Sequence, residues 1–302
     1  MSSSDAPILL TGASGYVGGQ LLPRLAGRGP VRVLARSPEK LDLPGEVEAV
    51  KGDAVSGAGL AEALEGIGTA YYLIHSMGRG SDSADFAERD RRAAEQFGRA
   101  AGEAGVERIV YLGGLAPSGT EAAQSHHLRS REEVGEILAG HVPGTVHVRA
   151  AMVIGAGSAS FVMLRGLVTR LPAMICPRWI DTRSQPVAVD DVVGTLAALA
   201  DHPDPPAEVQ LGGADVLTYR QMMQRFARVM GRREPVIVKV PVLTPQLSSY
   251  WVMLVTPVEA GLVRPLVDGL SAEMVVTAPP PSGLNDAPLG FEDAARAALE
   301  AA

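Results

Sequence analysis

A short apolar run near the amino terminus breaks into three glycines spaced G-x-x-G-x-x-G, and this turn narrows the possible folds more than any other part of the chain. The run is Ile8–Leu10 and the glycines are Gly12, Gly15 and Gly18. Apolar residues then recur at helical spacing over 17–25, so the pattern predicts a strand, a tight turn and a helix. Glycine is required where a backbone approaches a pyrophosphate and a helix packs tightly on its strand. The turn therefore predicts a dinucleotide site with its phosphates at the helix N-terminus.

The end of the second predicted strand, 31–36, indicates which dinucleotide is bound. In this kind of site a carboxylate at that position accepts a hydrogen bond from a free ribose 2′-hydroxyl, whereas an arginine accommodates a 2′-phosphate. The chain has Arg36, Ser37 and Lys40 there, with Glu39 between them. The pattern favours NADP(H) over NAD(H). The alternative is that these charges belong to a solvated loop.

Apolar segments alternate with helical patterns over the first half of the chain, which predicts an α/β fold with a doubly wound parallel sheet of the Rossmann type. The predicted strands after the first one lie at 31–36, 47–53, 69–74, 108–114 and 145–150. Beyond residue 155 the alternation becomes irregular. We therefore divide the chain into a dinucleotide-binding core, 1–155 and 186–214, and a smaller, mainly helical substrate-side cap, 156–185 and 215–302.

Composition and charge exclude several classes of partner. The 302-residue chain has 27 Lys+Arg against 34 Asp+Glu, a formal charge of −7 and 4% aromatic residues, so we expect no nucleic-acid partner. We expect no signal peptide, because the N-terminus has no basic region and the apolar run that follows is only four residues long. We expect no integral membrane segment, because the apolar region 250–267 is interrupted by prolines and charges. The single cysteine, Cys176, excludes an internal disulfide and agrees with a cytoplasmic location.

Polar residues follow the third and fourth predicted strands, where ligands of parallel sheets bind. Asp53 ends the third strand, and it either reaches the adenine or fixes a turn. His75 and Ser76 follow the fourth strand. We therefore expect the loop that begins at His75 to lie beside the cofactor.

Several motifs, taken together, resemble a known family. They are Thr11–Gly18, Arg36, Gly52-Asp53, Tyr72–Met77, Arg149–Gly155 and Pro186–Val192. Over about residues 7–213 the chain resembles the atypical short-chain dehydrogenase/reductases, in particular their NmrA-like, NAD(P)H-binding branch. The resemblance implies a set of cofactor-binding positions along the core. They are Thr11, Gly12, Ser14, Gly15, Tyr16, Val17, Gly18, Arg36, Ser37, Lys40, Asp53, Ala54, Ile74, His75, Ser76, Arg131, Ala150 and Val153.

The chain departs from this family where its usual catalytic residues would stand. That chemistry uses a serine at the end of the fifth strand and a Tyr-x-x-x-Lys pair one helix later. Here the corresponding residues are Gly113-Gly114 and His127-x-x-x-Arg131. We expect His127 to act as the proton donor with Arg131 holding the ribose or a phosphate, or else this helix only lines the cofactor. His75 is the rival proton donor, since histidine titrates near neutral pH.

Two functions are consistent with these features. The first is an NADP(H)-dependent oxidoreductase that reduces a small apolar carbonyl, enone or quinone-like substrate. The second is a non-catalytic NADP(H)-binding sensor or cofactor-holding protein, which the missing serine and Tyr-x-x-x-Lys pair would explain. An isomerase or epimerase that uses its cofactor transiently is a minor third hypothesis.

Other conspicuous groups are assigned structural roles. His126 and His127 point in different directions on a helix and no third ligand is spaced to join them, so we expect no metal site. Asp190 and Asp191 precede a helical pattern and are expected to cap it. The apolar stretch 247–270 covers a pocket, pairs two subunits as a homodimer or touches a membrane surface.

Overall fold

The computed structural model describes most of the chain. The described residues are 6–75, 83–117, 126–240, 267 and 269–302, with the backbone alone at 83–85 and 126–127. Ser76 and residues 247–266 of the apolar stretch therefore lie outside the described residues. Within the described ranges, no helix is both long and apolar enough to cross a membrane.

Strands and helices alternate as the sequence pattern predicts. The strands are β1 (Ile8–Thr11), β2 (Val31–Ala35), β3 (Glu48–Lys51), β4 (Thr69–Tyr72), β5 (Arg108–Gly114), β6 (Val146–Ala150), β7 (Val153–Ile154), β8 (Ala173–Cys176), β9 (Arg183–Ser184), β10 (Val187–Ala188), β11 (Glu208–Leu211), β12 (Leu217–Thr218) and β13 (Val236–Lys239). The helices are α1 (Tyr16–Ala26), α2 (Leu60–Leu64), α3 (Ser83–Glu103), α4 (His126–His141), α5 (Ala159–Arg170), α6 (Val189–Ala198), α7 (Tyr219–Val229) and α8 (Phe291–Glu300).

The described residues form a seven-stranded central sheet with the strand order β11-β6-β5-β4-β1-β2-β3. Neighbouring strands in it are all parallel. Apolar residues of α1 and α6 cover one face, and those of α2, α3 and α4 cover the other. The predicted doubly wound parallel sheet is therefore confirmed. The strand order changes direction between β1 and β4, and ligands of such sheets bind outside the carboxyl ends of the strands at this point.

A separate apolar core lies outside the central sheet. Side chains of α5, α7 and α8 form it together with residues of β8 and the turn 178–181. Two small sheets border this core, since β8 pairs in parallel with β13 and β9 pairs antiparallel with β12. These pairings join segments that are distant in sequence, so they tie the two halves of the predicted cap together.

The aspartates before α6 do not cap it, so this prediction is wrong. The helix begins two residues earlier than an N-cap at Asp190 would require, with Ala188 at the N-cap, and Asp190 and Asp191 lie in its first turn. There Asp190 pairs with Arg24 at 2.8 Å, and Asp191 Oδ2 accepts a hydrogen bond from the Leu289 amide at 2.9 Å. Negative charge in the first turn still interacts favourably with the helix dipole.

Candidate functional site

The glycine turn after β1 leaves no room for side chains at two of its glycines. Gly12 has a φ of +76°, and a Cβ at this position would lie 2.6 Å from the carbonyl oxygen of Leu73. A Cβ on Gly18 would lie 2.2 Å from the Gly12 carbonyl oxygen, so only glycine lets α1 pack this closely on the turn. Gly15 is the N-cap of α1 and has no side chain to satisfy the first amides of the helix. Those amides are the kind of group that binds phosphate.

The other predicted residues of this turn differ in their surroundings. Ser14 is exposed beside the helix N-terminus, whereas Val17 is half-buried against the core of α1 and α6. Thr11 is fully buried, and its hydroxyl donates to Tyr71 O at 2.9 Å and accepts from the Leu73 amide at 3.1 Å. The Thr11 side chain thus joins β1 to β4.

Tyr16 connects the turn to the beginning of the cap. A Cβ on Gly155 would lie 2.5 Å from the Tyr16 hydroxyl, and one on Gly157 would lie 2.5 Å from the Tyr16 ring. Both glycines lie between β7 and α5. The ring therefore packs against backbone that leads directly into the cap.

The residues expected at the adenosine end lie at the carboxyl ends of β2 and β3. Arg36 and Lys40 are exposed, and Lys40 ends a 3₁₀ turn that begins at Pro38. Ser37 precedes that turn. Asp53 forms a local turn in which Oδ1 accepts a hydrogen bond from the Val55 amide at 2.8 Å. Its second carboxylate oxygen is the one that an incoming ligand could use.

A cavity of about 310 Å³ lies between the carboxyl ends of β5 and β6 and the cap. Four of the predicted residues line it, namely His75, Arg131, Ala150 and Val153. Most of the remaining lining is apolar. It includes Leu112, Leu115, Leu128, Met152, Met163, Leu164, Leu167, Met223, Leu270 and Met274. Two further predicted residues do not line the cavity. Ile74, after β4, is half-buried, and Ala54, after β3, is buried.

His75 stands at the sheet end of this cavity as a neutral imidazole at neutral pH. Its Nδ1 lies 3.3 Å from Oδ2 of the buried Asp90. Burial and the charge of Arg131 lower the pKa of His75, and the contact with Asp90 opposes them. A histidine with a lowered pKa is a poor proton donor at neutral pH, although it still forms hydrogen bonds.

Arg131 is anchored beside His75 by contacts with β5. Its Nη2 donates to the carbonyl oxygen of Leu112, and its Cζ lies 5.1 Å from the centroid of the Tyr111 ring. The Tyr111 hydroxyl in turn donates to the Arg131 carbonyl oxygen at 3.0 Å. A guanidinium has five N–H donors, so Arg131 retains donors for a ligand in the cavity. The backbone of His127 belongs to α4, one turn before Arg131, but its side chain lies outside the described part of the chain.

His147 of β6 was missed by the sequence analysis. It is buried, its ring centroid lies 4.8 Å from that of Tyr111, and its Nε2 makes no hydrogen bond with any described residue. Burial first, and then the charge of Arg149, lower its pKa to about 3. A Cβ on Gly113 would lie 2.2 Å from His147 Nε2, and one on Gly135 would lie 2.6 Å from Nδ1. The sequence signal for this packing was the presence of Gly113 inside a strand and Gly135 inside a helix, because a glycine at such a position indicates a close neighbouring side chain.

Three polar side chains in the cap end of the cavity were also missed. Trp179, Ser184 and Tyr219 line the cavity and are 4%, 0% and 8% exposed. The rings of Trp179 and Tyr219 meet edge-on with centroids 5.9 Å apart. Burial raises the pKa of the Tyr219 hydroxyl to about 12, and the neighbouring Ser184 hydroxyl opposes that rise. The Thr218/Gln221 capping box could have indicated that Tyr219 is fixed as the first residue of a helix.

Among the residues that the structure describes, no three His, Cys, Asp or Glu side chains lie close enough together to hold a metal ion. Cys176 is fully buried in the cap core, and burial raises the pKa of its thiol to about 11. A thiol in this state is a poor nucleophile and a poor metal ligand.

Solved structures share this fold over nearly the whole chain. The triphenylmethane reductase of Citrobacter sp., complexed with NADP(H), matches with a TM-score of 0.73 at 18% identity, covering 97% of this chain and 99% of that one. A nucleoside-diphosphate-sugar epimerase from Staphylococcus aureus matches with a TM-score of 0.74 at 19% identity, covering 96% and 99%. At such identities the likeness shows the fold alone.

Sequence comparison identifies the family. The chain is 30% identical over 227 residues, 74% of each protein, to the (4-alkanoyl-5-oxo-2,5-dihydrofuran-3-yl)methyl phosphate reductase of Streptomyces griseus subsp. griseus. The model of a family described as NAD(P)H-binding matches residues 12–165, which is more than half of the chain. The protein therefore belongs to this NAD(P)H-binding family.

Proposed function

We propose that the protein is an NADP(H)-dependent reductase of small, apolar enones and related carbonyl or quinone-like compounds. The observation that carries this proposal is the apolar cavity of about 310 Å³ beyond the carboxyl ends of β5 and β6, with Arg131 at its sheet end. A ligand in this cavity would lie where parallel sheets of this type present the reactive end of a dinucleotide. The apolar lining suits a substrate of the same apolar character.

The chain's own residues fit a 2′-phosphorylated dinucleotide. Gly12 and Gly18 leave the backbone of the turn bare, and α1 begins with amides that no N-cap side chain satisfies. Arg36 and Lys40 supply positive charge at the end of β2, where a 2′-phosphate would lie. The reduced cofactor, when bound, supplies a hydride.

Arg131 would stabilise the negative charge that develops on the substrate. Reduction of an enone places this charge on an oxygen as an enolate, and a fixed guanidinium at the cavity edge can donate hydrogen bonds to that oxygen. The enolate carbon can take its proton from water after the hydride has arrived. An enone therefore needs no strongly acidic side chain, which agrees with the glycines at 113–114 and with the lowered pKa of His75.

The relative from Streptomyces griseus supports an activated alkene as the substrate class. Its name describes a dihydrofuran in which the ring double bond is conjugated with an alkanoyl and an oxo group. Two carbonyl groups on one alkene delocalise the charge of the enolate, so a single cation suffices to stabilise it. We therefore place doubly activated enones first in the proposed substrate class.

The test is reduction of a panel of enones, quinones and simple ketones, with NADPH or NADH as the reductant. We expect consumption of NADPH with enones, and transfer of deuterium from the labelled nicotinamide carbon to the β-carbon of the product. Consumption of simple ketones alone would contradict the role given to Arg131. Tight binding of NADPH without turnover of any compound would favour the cofactor-holding protein instead.

A further inference from the structure

We propose that the cap end of the cavity is a second recognition site, which binds a neutral acceptor oxygen of the substrate through Trp179, Ser184 and Tyr219. The substrate would then be an apolar molecule with its reducible bond near Arg131 and a ketone, ester or ether oxygen at the opposite end. The position of the reducible bond rests on the proposed function. The acceptor site rests on the cap residues alone.

The indole N–H of Trp179 is the first observation. Trp179 lies in the 3₁₀ turn Arg178–Asp181, is 4% exposed, and lines the cavity. Its Nε1 has no hydrogen-bond partner in the described ranges. A buried N–H without a partner is unfavourable, and buried tryptophans normally find one. A substrate oxygen in the cavity would provide it.

The hydroxyls of Ser184 and Tyr219 are the second observation. They are neighbours, since Ser184 acts on the pKa of Tyr219, but no well-formed hydrogen bond satisfies the Ser184 hydroxyl among the described residues. When one hydroxyl donates to another, the second retains its own hydrogen for a third oxygen. Together with Trp179 they place donors from three elements in the cap lining of the cavity.

The backbone holds these groups in fixed positions. Ser184 pairs with Leu217 between β9 and β12, and it also forms a bridge with Met274. Tyr219 follows directly as the first residue of α7, where Thr218 closes a capping box. A preorganised set of donors loses little entropy when it binds an oxygen.

The surroundings select a neutral oxygen rather than an anion. The ionic groups beside these donors in the chain are already paired. Asp181, in the same turn as Trp179, contacts Arg220 at 2.9 Å and Lys239 at 2.6 Å, and Arg183, next to Ser184, contacts Glu273 at 2.8 Å. Met163, Leu167 and Met223 also line the cavity, and they belong to the same apolar core as Trp179 and Tyr219. A phosphate or carboxylate would enter this apolar end without a cation to balance it.

The test compares two enones of the same shape, para-acetylbenzylideneacetone and para-isopropylbenzylideneacetone. The acetyl group carries the distal oxygen, and the isopropyl group replaces it with carbon. Dissociation constants are measured by calorimetry on the NADPH-loaded protein, and kcat and KM are measured in parallel. We expect the wild-type protein to bind the acetyl compound about tenfold more tightly, as one buried hydrogen bond allows.

The variants Trp179→Phe, Ser184→Ala and Tyr219→Phe should each reduce this ratio of dissociation constants towards one, with little change for the isopropyl compound. Tyr71→Phe is the matched control, because it removes a buried tyrosine hydroxyl that donates to Leu196 O at 2.7 Å, away from the cavity. It should keep the wild-type ratio.

An equal affinity of wild-type protein for both compounds would overturn the proposal, as would a preference that survives all three substitutions. Because binding is measured separately from turnover, a protein that prefers the acetyl compound but reduces neither would contradict only the proposed reductase function.

Discussion

The imidazole of His147 occupies the space that a side chain at Gly113 would need, since a Cβ there would lie 2.2 Å from Nε2. The family's usual serine is expected at this end of β5. In this chain His147, from the neighbouring strand β6, fills that space. Gly135 of α4, which has no side chain, leaves room for the other side of the same ring. The missing serine is therefore part of a different local packing, in which three residues depend on one another.

Gly113→Ser should destabilise the protein by about 1–3 kcal/mol, the range for overpacking a buried site. The free energy of unfolding in urea measures the effect. Addition of His147→Ala should recover much of the loss, because the smaller side chain frees the space. Gly114→Ser is the control, since its Cβ would meet only the flexible end of Leu128 at 3.2 Å. Equal losses for Gly113→Ser and Gly114→Ser would contradict the packing described here.

Stability should fall as the pH falls from 6.5 towards 3. The pKa of His147 is about 3 in the folded protein against an ordinary value of 6.5, so the unfolded chain binds the proton first. At pH 5 this difference corresponds to about 2 kcal/mol of lost stability. The substitution His147→Asn should remove this part of the pH dependence in urea unfolding at pH 5 and 7.5. An identical difference between the two pH values in both proteins would disprove the contribution of His147.

Arg36→Ala should raise the KM for NADPH by about tenfold or more and leave that for NADH nearly unchanged. The reason is that a charge-assisted hydrogen bond to the 2′-phosphate is lost, and NADH lacks this group. Arg99→Ala serves as the control, because Arg99 is also an exposed arginine but lies on α3. If Arg36→Ala weakened both cofactors alike, the preference for NADPH would need another source.

Arg131→Met should lower kcat/KM for an enone by about 100-fold, the typical loss when one donor to a developing oxyanion is removed. Arg131→Lys should restore only part of it, because lysine cannot both contact Leu112 O and lie over Tyr111 as the guanidinium does. Titration of NADPH by fluorescence distinguishes the two roles considered for this residue. A large loss of NADPH affinity with unchanged kcat would assign Arg131 to the cofactor instead of the substrate.

Local patterns predicted the fold because the requirements were local. The spacing of Gly12, Gly15 and Gly18 encodes a turn of a few consecutive residues, and the apolar strands follow from periodicity alone. The cap site depends on pairing between distant segments, since Ser184 meets Leu217 across β9 and β12. The sequence around Trp179 has no periodic pattern from which this pairing of distant segments could be predicted.

Prediction of the contact between His147 and Gly113 would also have required the register of the sheet. In the sheet, Gly113 stands opposite Arg149 and His147 stands opposite Tyr111, so the clash is diagonal. Sequence alone does not fix which residues face one another across two strands. The proton-donor role of His127 stays a prediction, because its side chain lies outside the described residues.

The strand order of the central sheet bears on how this protein can be engineered. β2, which presents Arg36, is separated from β5 by β1 and β4. Three strand spacings correspond to about 14 Å. Substitutions that exchange one nicotinamide cofactor for the other can thus be combined with substitutions in the cavity without shared contacts, and their effects on catalytic efficiency should multiply. Directed evolution could vary the two regions in separate libraries and then combine the improved substitutions in one chain.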